Sequence, residues 1–490
     1  MLAQSIVWRR VTLFSLLVAA LAWPALYNGQ PIFYNDTTVY IRAADAGVQA
    51  ALHHRTQWSL FGADAIEKED PGIVAAPTEQ YSINSIKDKN VQTGRSPFYG
   101  ALLYFGEITG GFWLSIALQA LAVLVSLTLV LRVAHIPIWP QLFVIVAVIT
   151  MTTSAPFFVS FMMPDVFAAV TILAASVLIF MPHRLNRIDY LVCFFLLCAS
   201  LVFHDSFVLI VVALLASGIV ANLVSRTWAN WPGMTVIALA LAMAGLAHTI
   251  FVVVAERVIG AAPVRPPFLM ARVIEDGPGF RYLRATCPAN GFKVCDFLER
   301  LPVSADEFLW ARTGVFAAAP QETRRQISAE ELRFVINVVA YEPWGQLAES
   351  LRNVGAQLTL LGLDEFEYTA LEKAVFEAKV PHEHLQRIKQ SAAYNGAMPV
   401  AVFSMLNAAT FLIGSIFVVF ALSHWKQRLG AHIAAFLMGI VAGVLSNAAI
   451  CGILSVPSSR YSARVAWLMP FAALLIVFAL SAHRRSQRLE

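Results

Sequence analysis

The sequence predicts an all-α polytopic membrane protein with about ten transmembrane helices and a mainly helical external cap. Three observations predict it. Of 490 residues, 58% are hydrophobic and only 13% are charged, where an ordinary soluble domain carries about 25% charged residues. Apolar runs of near-spanning length recur along the chain. The short basic clusters between those runs fall on one side of the membrane when spans are counted from an inside N-terminus, as the positive-inside rule requires. The net charge of +4 resides in these clusters and there is no basic arm, so it reports orientation and not nucleic-acid binding.

Taken in order, the apolar runs are residues 11–27, 111–131, 138–160, 165–181, 190–203, 206–224, 234–254, 399–422, 433–454 and 465–482. Trp8-Arg9-Arg10, Arg132, HRLNR at 183–187, SRTWANW at 225–231, HWKQR at 424–428 and HRRSQR at 483–488 all fall inside, which puts both termini there. The first run is read as a retained span. Ala20-Leu21-Ala22 also fits a small-residue cleavage pattern, so a cleaved leader is the alternative.

Two long segments then lie outside, residues 28–110 and 260–397, dividing the chain into an N-terminal membrane module (1–259), an external helical loop domain (260–397) and C-terminal membrane helices (398–490). The first segment ends at GRSPFYGALLYFGEITGG (94–111), too short and too interrupted by Glu107 and glycines to span, and read as an interfacial or partly buried helix. In the second, Ser304 with Glu307 and Ser328 with Glu331 have the spacing of capped helix starts. The stretch 332–362 is amphipathic enough to lie against a bilayer surface or a neighbouring helix, with a break at Pro343. The cap is expected to be small, without a large core of its own. Cys287 and Cys295 lie in this segment, as a disulfide or as two buried thiols.

The spans themselves are nearly free of ionisable residues, which in a membrane usually mark an ion or substrate path. The exceptions gather at the outer rim: Asp36 after the first span, Asp165 in MMPDVF, His204 and Asp205 in FHDSF, and Arg460, Tyr461 and Arg464 in VPSSRYSARVAW. Each has a structural alternative. Asp36 can cap a helix beginning at Thr37, Asp165 can begin the next helix and Asp205 the one after, His204 can be a packed histidine, and Arg460 and Arg464 can anchor at headgroups. Together they suit a reaction in which an acid takes a proton from an acceptor hydroxyl while arginines stabilise a departing phosphate. A divalent metal could assist through the carboxylates, although the spacing requires none and shows no four-ligand set.

The order of these motifs resembles the GT-C superfamily of membrane glycosyltransferases, which use polyprenyl-phosphate-linked sugars. YNDTTVYI with Asp36, GRSPFYGALLYF with Arg95, Pro97 and Tyr99, and MMPDVF with Asp165 look like that family's elements, and LVFHDSFVLIVVALL is similar to its short histidine-bearing loop. The resemblance covers about the first 225 residues. Asp36 lacks the second acidic neighbour of many members, and 260–397 matches no acceptor-binding domain. The resemblance implies Asp36 as general base or as the acid orienting the acceptor hydroxyl. Asp165 would support the acceptor or bind a metal, with Arg460 or Arg464 facing the lipid phosphate and Arg95, Tyr99, His204, Asp205 and Tyr461 lining the substrates. It implies an inverting enzyme of the bacterial inner membrane whose partners are membrane lipids, the polyprenyl-phosphate sugar, and an envelope glycan, lipid or protein acceptor. An O-antigen-type polymerase or ligase is the nearest alternative, for which Arg265, Arg272, Arg281 and Arg284 would serve. A lipid or glycan transporter is the second, and an assembly platform the third.

Overall fold

The computed structural model describes residues 2–53, 56–58, 94–224, 230–311, 313–424 and 429–486. The basic clusters expected at 225–231, 424–428 and 483–488, and the polar centre of the first external segment, lie largely outside those residues. The described chain is helical throughout; its one β feature is an isolated bridge between Ile32 and Phe161. In order the helices are α1 (Leu2–Leu21), α2 (Trp23–Asn28), α3 (Asn35–Leu52), α4 (Pro97–Gly110), α5 (Trp113–Val133), α6 (Gln141–Thr152), α7 (Ala155–Ser160), α8 (Val166–Phe180), α9 (Arg187–Phe203), α10 (Asp205–Val224) and α11 (Trp231–Ile259). Next come α12 (Phe268–Glu275), α13 (Pro278–Thr286), α14 (Ala305–Trp310), α15 (Gln321–Tyr341), α16 (Pro343–Thr359), α17 (Ala370–Lys379) and α18 (His382–Gln390). The chain closes with α19 (Val400–Ser423), α20 (Ala431–Leu454), α21 (Ser459–Ala466) and α22 (Leu468–Ser486).

Among the described residues, six stretches are long and apolar enough to cross a membrane: Trp113–Val133, Asp205–Leu223, Trp231–Val258, Val400–Ser423, Ala431–Leu454 and Ser459–Ala482. Three shorter apolar helices, Val11–Leu21, Gln141–Thr152 and Val166–Phe180, stand at other expected spans, and α9 stands at 190–203. Among the described residues, therefore, six of the expected ten are of spanning length. The shortfall has local causes. The run 11–27 breaks between α1 and α2, where Pro24 follows Ala22. The run 138–160 breaks at Thr153, which is extended, and Pro156 restarts the chain as α7. The polar groups freed there find partners, since Ser154 N–H donates to Asn407 Oδ1 (3.1 Å) and Ser154 Oγ to the Ala463 carbonyl, which is how non-helical backbone survives among membrane helices.

At the centre is α8, buried along its whole length and packed by α5, α9, α10, α11 and α20. A helix that is apolar all round belongs in such a place. α20 comes close because Gly443 faces Ile172, where a Cβ would lie 2.5 Å from a methyl group. α11 touches α8 along one side only: the Trp231–Val258 stretch has only 17% of its apolar window buried and so forms a flank. At one end of the bundle Arg132, closing α5, pairs with Asp189, which caps α9 together with Asn186. The opposite end carries the residues of interest.

The segment 260–397 differs from expectation. Its first part, α12 to α15, has a core of its own built on Ile274, Leu283, Phe308, Phe316 and Phe334, and Cys287 is disulfide-bonded to Cys295. Its last part, with Leu363, Phe366, Phe376 and Ile388, joins the core of the membrane helices. Ser304 caps α14 as expected, accepting from Glu307 N–H. Ser328 does not cap: α15 already begins at Gln321 after Pro320, so Ser328 Oγ donates to the Arg265 carbonyl and Glu331 accepts from Leu269 N–H. The break at Pro343 is present between α15 and α16, and α4 is a partly buried helix of 14 residues.

Candidate functional site

The site end begins where the chain leaves α2. Ile32 bridges to the strand-like residue Phe161, its N–H donating to the Ser160 carbonyl and its carbonyl accepting from Met162 N–H, both at 2.9 Å. α3 starts at Asn35, and its first-turn cap is Thr37, whose Oγ1 accepts from Tyr34 N–H (2.9 Å) and donates to the Met162 carbonyl (3.1 Å). Asp36 is therefore not the cap. Its Oδ1 accepts from Arg95 Nη2 at 2.7 Å, with 18% of the Asp36 side chain exposed. Burial alone would raise this carboxyl, but Arg95 and then Arg460 hold it below the usual carboxylate range. Arg95 is delivered by the capped start of α4: Ser96 Oγ accepts from Phe98 and Tyr99 N–H and donates to the Val202 carbonyl, tying this turn to the end of α9.

A second acid lies deeper. Asp165 precedes α8 but makes no side-chain cap; its Oδ1 accepts from Arg464 Nη1 at 3.1 Å, and Arg460 Nε stands at 3.7 Å. Both arginines project from one face of α21, four residues apart. They are buried, not snorkelling, because Arg464 is fully enclosed and also donates to Asn447 Oδ1 (2.8 Å). Their guanidinium groups lie over aromatic rings, Arg460 over Tyr34 (4.8 Å) and Tyr461 (5.0 Å), Arg464 over Tyr461 (5.1 Å) and Phe207 (5.4 Å). Such faces stabilise cations in a desolvated site. α21 is held in register by Gln357, which donates to the Ser458 carbonyl, and by Asn447, which donates to the Tyr461 carbonyl.

His204 joins the cluster between α9 and α10, its Nδ1 accepting from Ser206 N–H (3.2 Å). Burial first, and Arg464 next, push this imidazole down to about 4, so it is neutral at pH 7. Two expected site residues lie apart from this buried cluster. Asp205 is 74% exposed and pairs loosely with Arg265 at 3.9 Å; as the first residue of α10 it points away from the buried set. Tyr99 is fully buried and donates to Gln119 Oε1 at 2.7 Å, so its hydroxyl is spent on the core.

Glu365 is the residue the sequence reading missed. It sits in the 3-10 turn Asp364–Phe366, and its Oε1 accepts from Ser458 Oγ (2.9 Å) and Arg460 N–H (3.2 Å). Burial raises this carboxyl while Arg460 opposes the rise. In LDEFEY it is one acid among three, and no spacing singled it out. Glu365 Oε2, Asn35 Oδ1, Arg95 Nε, and Nε and Nη1 of Arg460 are buried without a hydrogen-bond partner. Each of these atoms has room for a partner from outside the chain, a water or a ligand. No three His, Cys, Asp or Glu side chains are grouped as metal ligands among the described residues. The clefts of about 350 and 190 Å³ along α1 are lined by residues such as Val11, Phe14, Trp139 and Leu129, and no member of the polar cluster borders them.

Six segments distant in sequence thus bring Asp36, Arg95, Asp165, His204, Glu365 and the Arg460/Arg464 pair to one end of an all-helical membrane bundle. No family model, curated protein or solved structure matches the chain.

Proposed function

We propose that this protein is a GT-C-type glycosyltransferase of the bacterial inner membrane. It moves a sugar from a polyprenyl-phosphate donor to an envelope glycan, lipid or protein acceptor on the periplasmic face. The observation that carries the reading is Arg460: it lies between the acids Asp36, Asp165 and Glu365, its buried Nη1 has no hydrogen-bond partner, and its buried Nε makes no hydrogen bond beyond a 3.7 Å ion pair with Asp165. A buried, always-charged planar donor with spare N–H groups fits a phosphate oxygen. About ten membrane crossings with both termini cytoplasmic put this end outward; the shorter apolar helices and α9 would complete the count within the bundle.

In this reading the acceptor hydroxyl oxygen attacks the anomeric carbon. The bond from that carbon to the phosphate oxygen breaks, and the polyprenyl phosphate leaves with the electron pair, its charge met by Arg460. The configuration inverts. The hydroxyl proton passes to a carboxylate, for which Asp36 is held ionised by Arg95 and Glu365 offers a higher proton affinity. Asp165 and Arg464 hold the arginine helix against α8, and His204 stays neutral beside them. Two of the four arginines that would favour a polymerase or ligase are engaged elsewhere, Arg272 with Glu275 and Asp276, and Arg281 with Glu342. A transporter would need polar groups lining a path through the depth of the bundle, whereas the buried acids and arginines among the described membrane helices collect at helix ends.

The test is transfer of labelled sugar from polyprenyl-phosphate monosaccharides in membranes containing the full chain. Asp36→Asn should lower the rate by about 10²–10⁴, the usual contribution of a positioned base, with insertion and folding retained. Full activity in that variant removes Asp36 from the chemistry, and a donor requirement for a diphosphate-linked glycan transfers the assignment to the polymerase or ligase class.

A further inference from the structure

Helix α16 is inside out for a protein surface in water. Its inward residues are polar: Gln346 and Asn353 donate to Asp276 (3.0 and 2.9 Å), and Gln357, fully buried, donates to Ser462 Oγ (2.8 Å). Its outward residues are apolar, with Trp344 79%, Leu347 48% and Leu351 64% exposed. These fall at intervals of three and four, so they form one stripe. The preceding helix changes character along its length. The start of α15 exposes Glu322 and Gln326, whereas its second half exposes Leu332, Ile336 and Val339 while burying Phe334 and Val338 on the other side.

A helix apolar on both sides, followed by one with its polar face turned inward, is the arrangement expected where the surroundings are hydrocarbon. The face is also continuous with a surface that meets lipid. α16 packs on the spanning helix α20, the Asn353 carbonyl lying against Gly452, and Leu445 and Ile453 of α20 are themselves exposed within two turns of that contact. Tyr341 and Trp344 stand at the break between α15 and α16, and Arg333 and Arg352 are exposed beside the stripe. Aromatic and basic residues in those positions are the usual occupants of the headgroup level.

We infer that the consecutive helices α15 and α16 are seated in the lipid leaflet at the site end, with acyl chains as the occupant of their apolar face. The pair is then a monotopic anchor in the sense of an interfacial helix, buried to the headgroup and acyl boundary. Because Gln357 of α16 holds α21, the anchor also sets the height of Arg460 and Arg464 relative to the bilayer. The inference does not depend on the reaction proposed above.

The experiment uses the full chain in nanodiscs of phosphatidylcholine and phosphatidylglycerol, with a nitroxide attached in turn at Ile336→Cys, Leu347→Cys, Leu351→Cys and, as the aqueous reference, Gln326→Cys, all in a Cys198→Ser background. Relaxation by oxygen should exceed relaxation by a water-soluble nickel chelate at 336, 347 and 351, and the order should invert at 326. Nickel access at the three apolar positions equal to that at 326 would place the face in water and overturn the inference. Protection from both reagents would overturn it as well, because it would mean that protein, such as a second copy of the chain, covers the stripe.

Discussion

Replacing Asp165 by asparagine should cost about 3–5 kcal/mol of stability, the range for breaking a buried ion pair by removing one partner. The geometry supports that figure. Asp165 is 2% exposed and Arg464 is 0% exposed at a separation of 3.1 Å, so solvent screening takes nothing away. Coulomb's law at that distance with an effective dielectric of about 20 gives roughly 5 kcal/mol. Arg464→Met should cost about 3 kcal/mol, toward the lower end, because Arg460 at 3.7 Å still faces the carboxylate. The double variant removes the charge and its partner together. Its loss should fall short of the sum of the single losses by about 2 kcal/mol, the coupling expected of a close charge pair. Equilibrium unfolding in mixed micelles of increasing dodecyl sulfate content measures all four corners of the cycle. Single losses that add within about 0.5 kcal/mol would show that Asp165 and Arg464 do not stabilise one another, and the account of α21 as a helix clamped to α8 would fail.

Three further outcomes follow from the geometry. Because His204 is held at about 4 against an ordinary 6.5, an unfolded chain takes up its proton as pH falls below 6.5 while the folded one refuses it. Its contribution to stability is complete above pH 6.5 and declines toward pH 4, and His204→Gln should flatten that slope in a pH series of unfolding midpoints. Cys287→Ser opens a loop with a sequence separation of 8 and should cost about 2–3 kcal/mol; amide exchange should quicken within α12 to α15 and leave α8 unchanged, and uniform quickening would contradict a separate core there. Gly452→Ala places a Cβ 2.9 Å from the Asn353 carbonyl and should cost about 1–3 kcal/mol by prising α16 from α20. Gly355→Ala, where nothing lies within 4 Å, should instead gain about 0.5–1 kcal/mol of helix propensity, and equal effects at the two positions would argue against the close approach.

Much of the membrane architecture was legible because it depends on local composition. Apolar runs announce helices wherever they occur, and Ser304 and Pro343 act on the residues beside them. The breaks at Ala22 and Thr153 were not legible. Pro24 and Pro156 were visible, but proline is tolerated in membrane helices when neighbours satisfy the backbone, and the neighbours here, Ser160, Asn407 and Ala463, come from distant segments. Ser328 misled for a related reason: a serine with a glutamate three residues on also fits a helix interior, and Arg265 and Leu269 supplied the partners that a cap would have used. The candidate site was legible as a set of ionisable residues expelled from the spans, since burying an unpaired charge in hydrocarbon is costly wherever it occurs.

By itself, then, the sequence determined that this chain is a helical membrane protein with its acids and arginines gathered at helix ends, because hydropathy and the cost of charge are properties of each short segment. Only the tertiary structure decided who meets whom. It paired Arg464 with Asp165 across 299 residues, brought Glu365 to Arg460, sent Tyr99 into the core and Asp205 to the surface, and turned the polar side of α16 inward. Those outcomes depend on the packing of segments far apart in the chain, and an amphipathic pattern carries the same period whether its apolar stripe faces a core or a lipid.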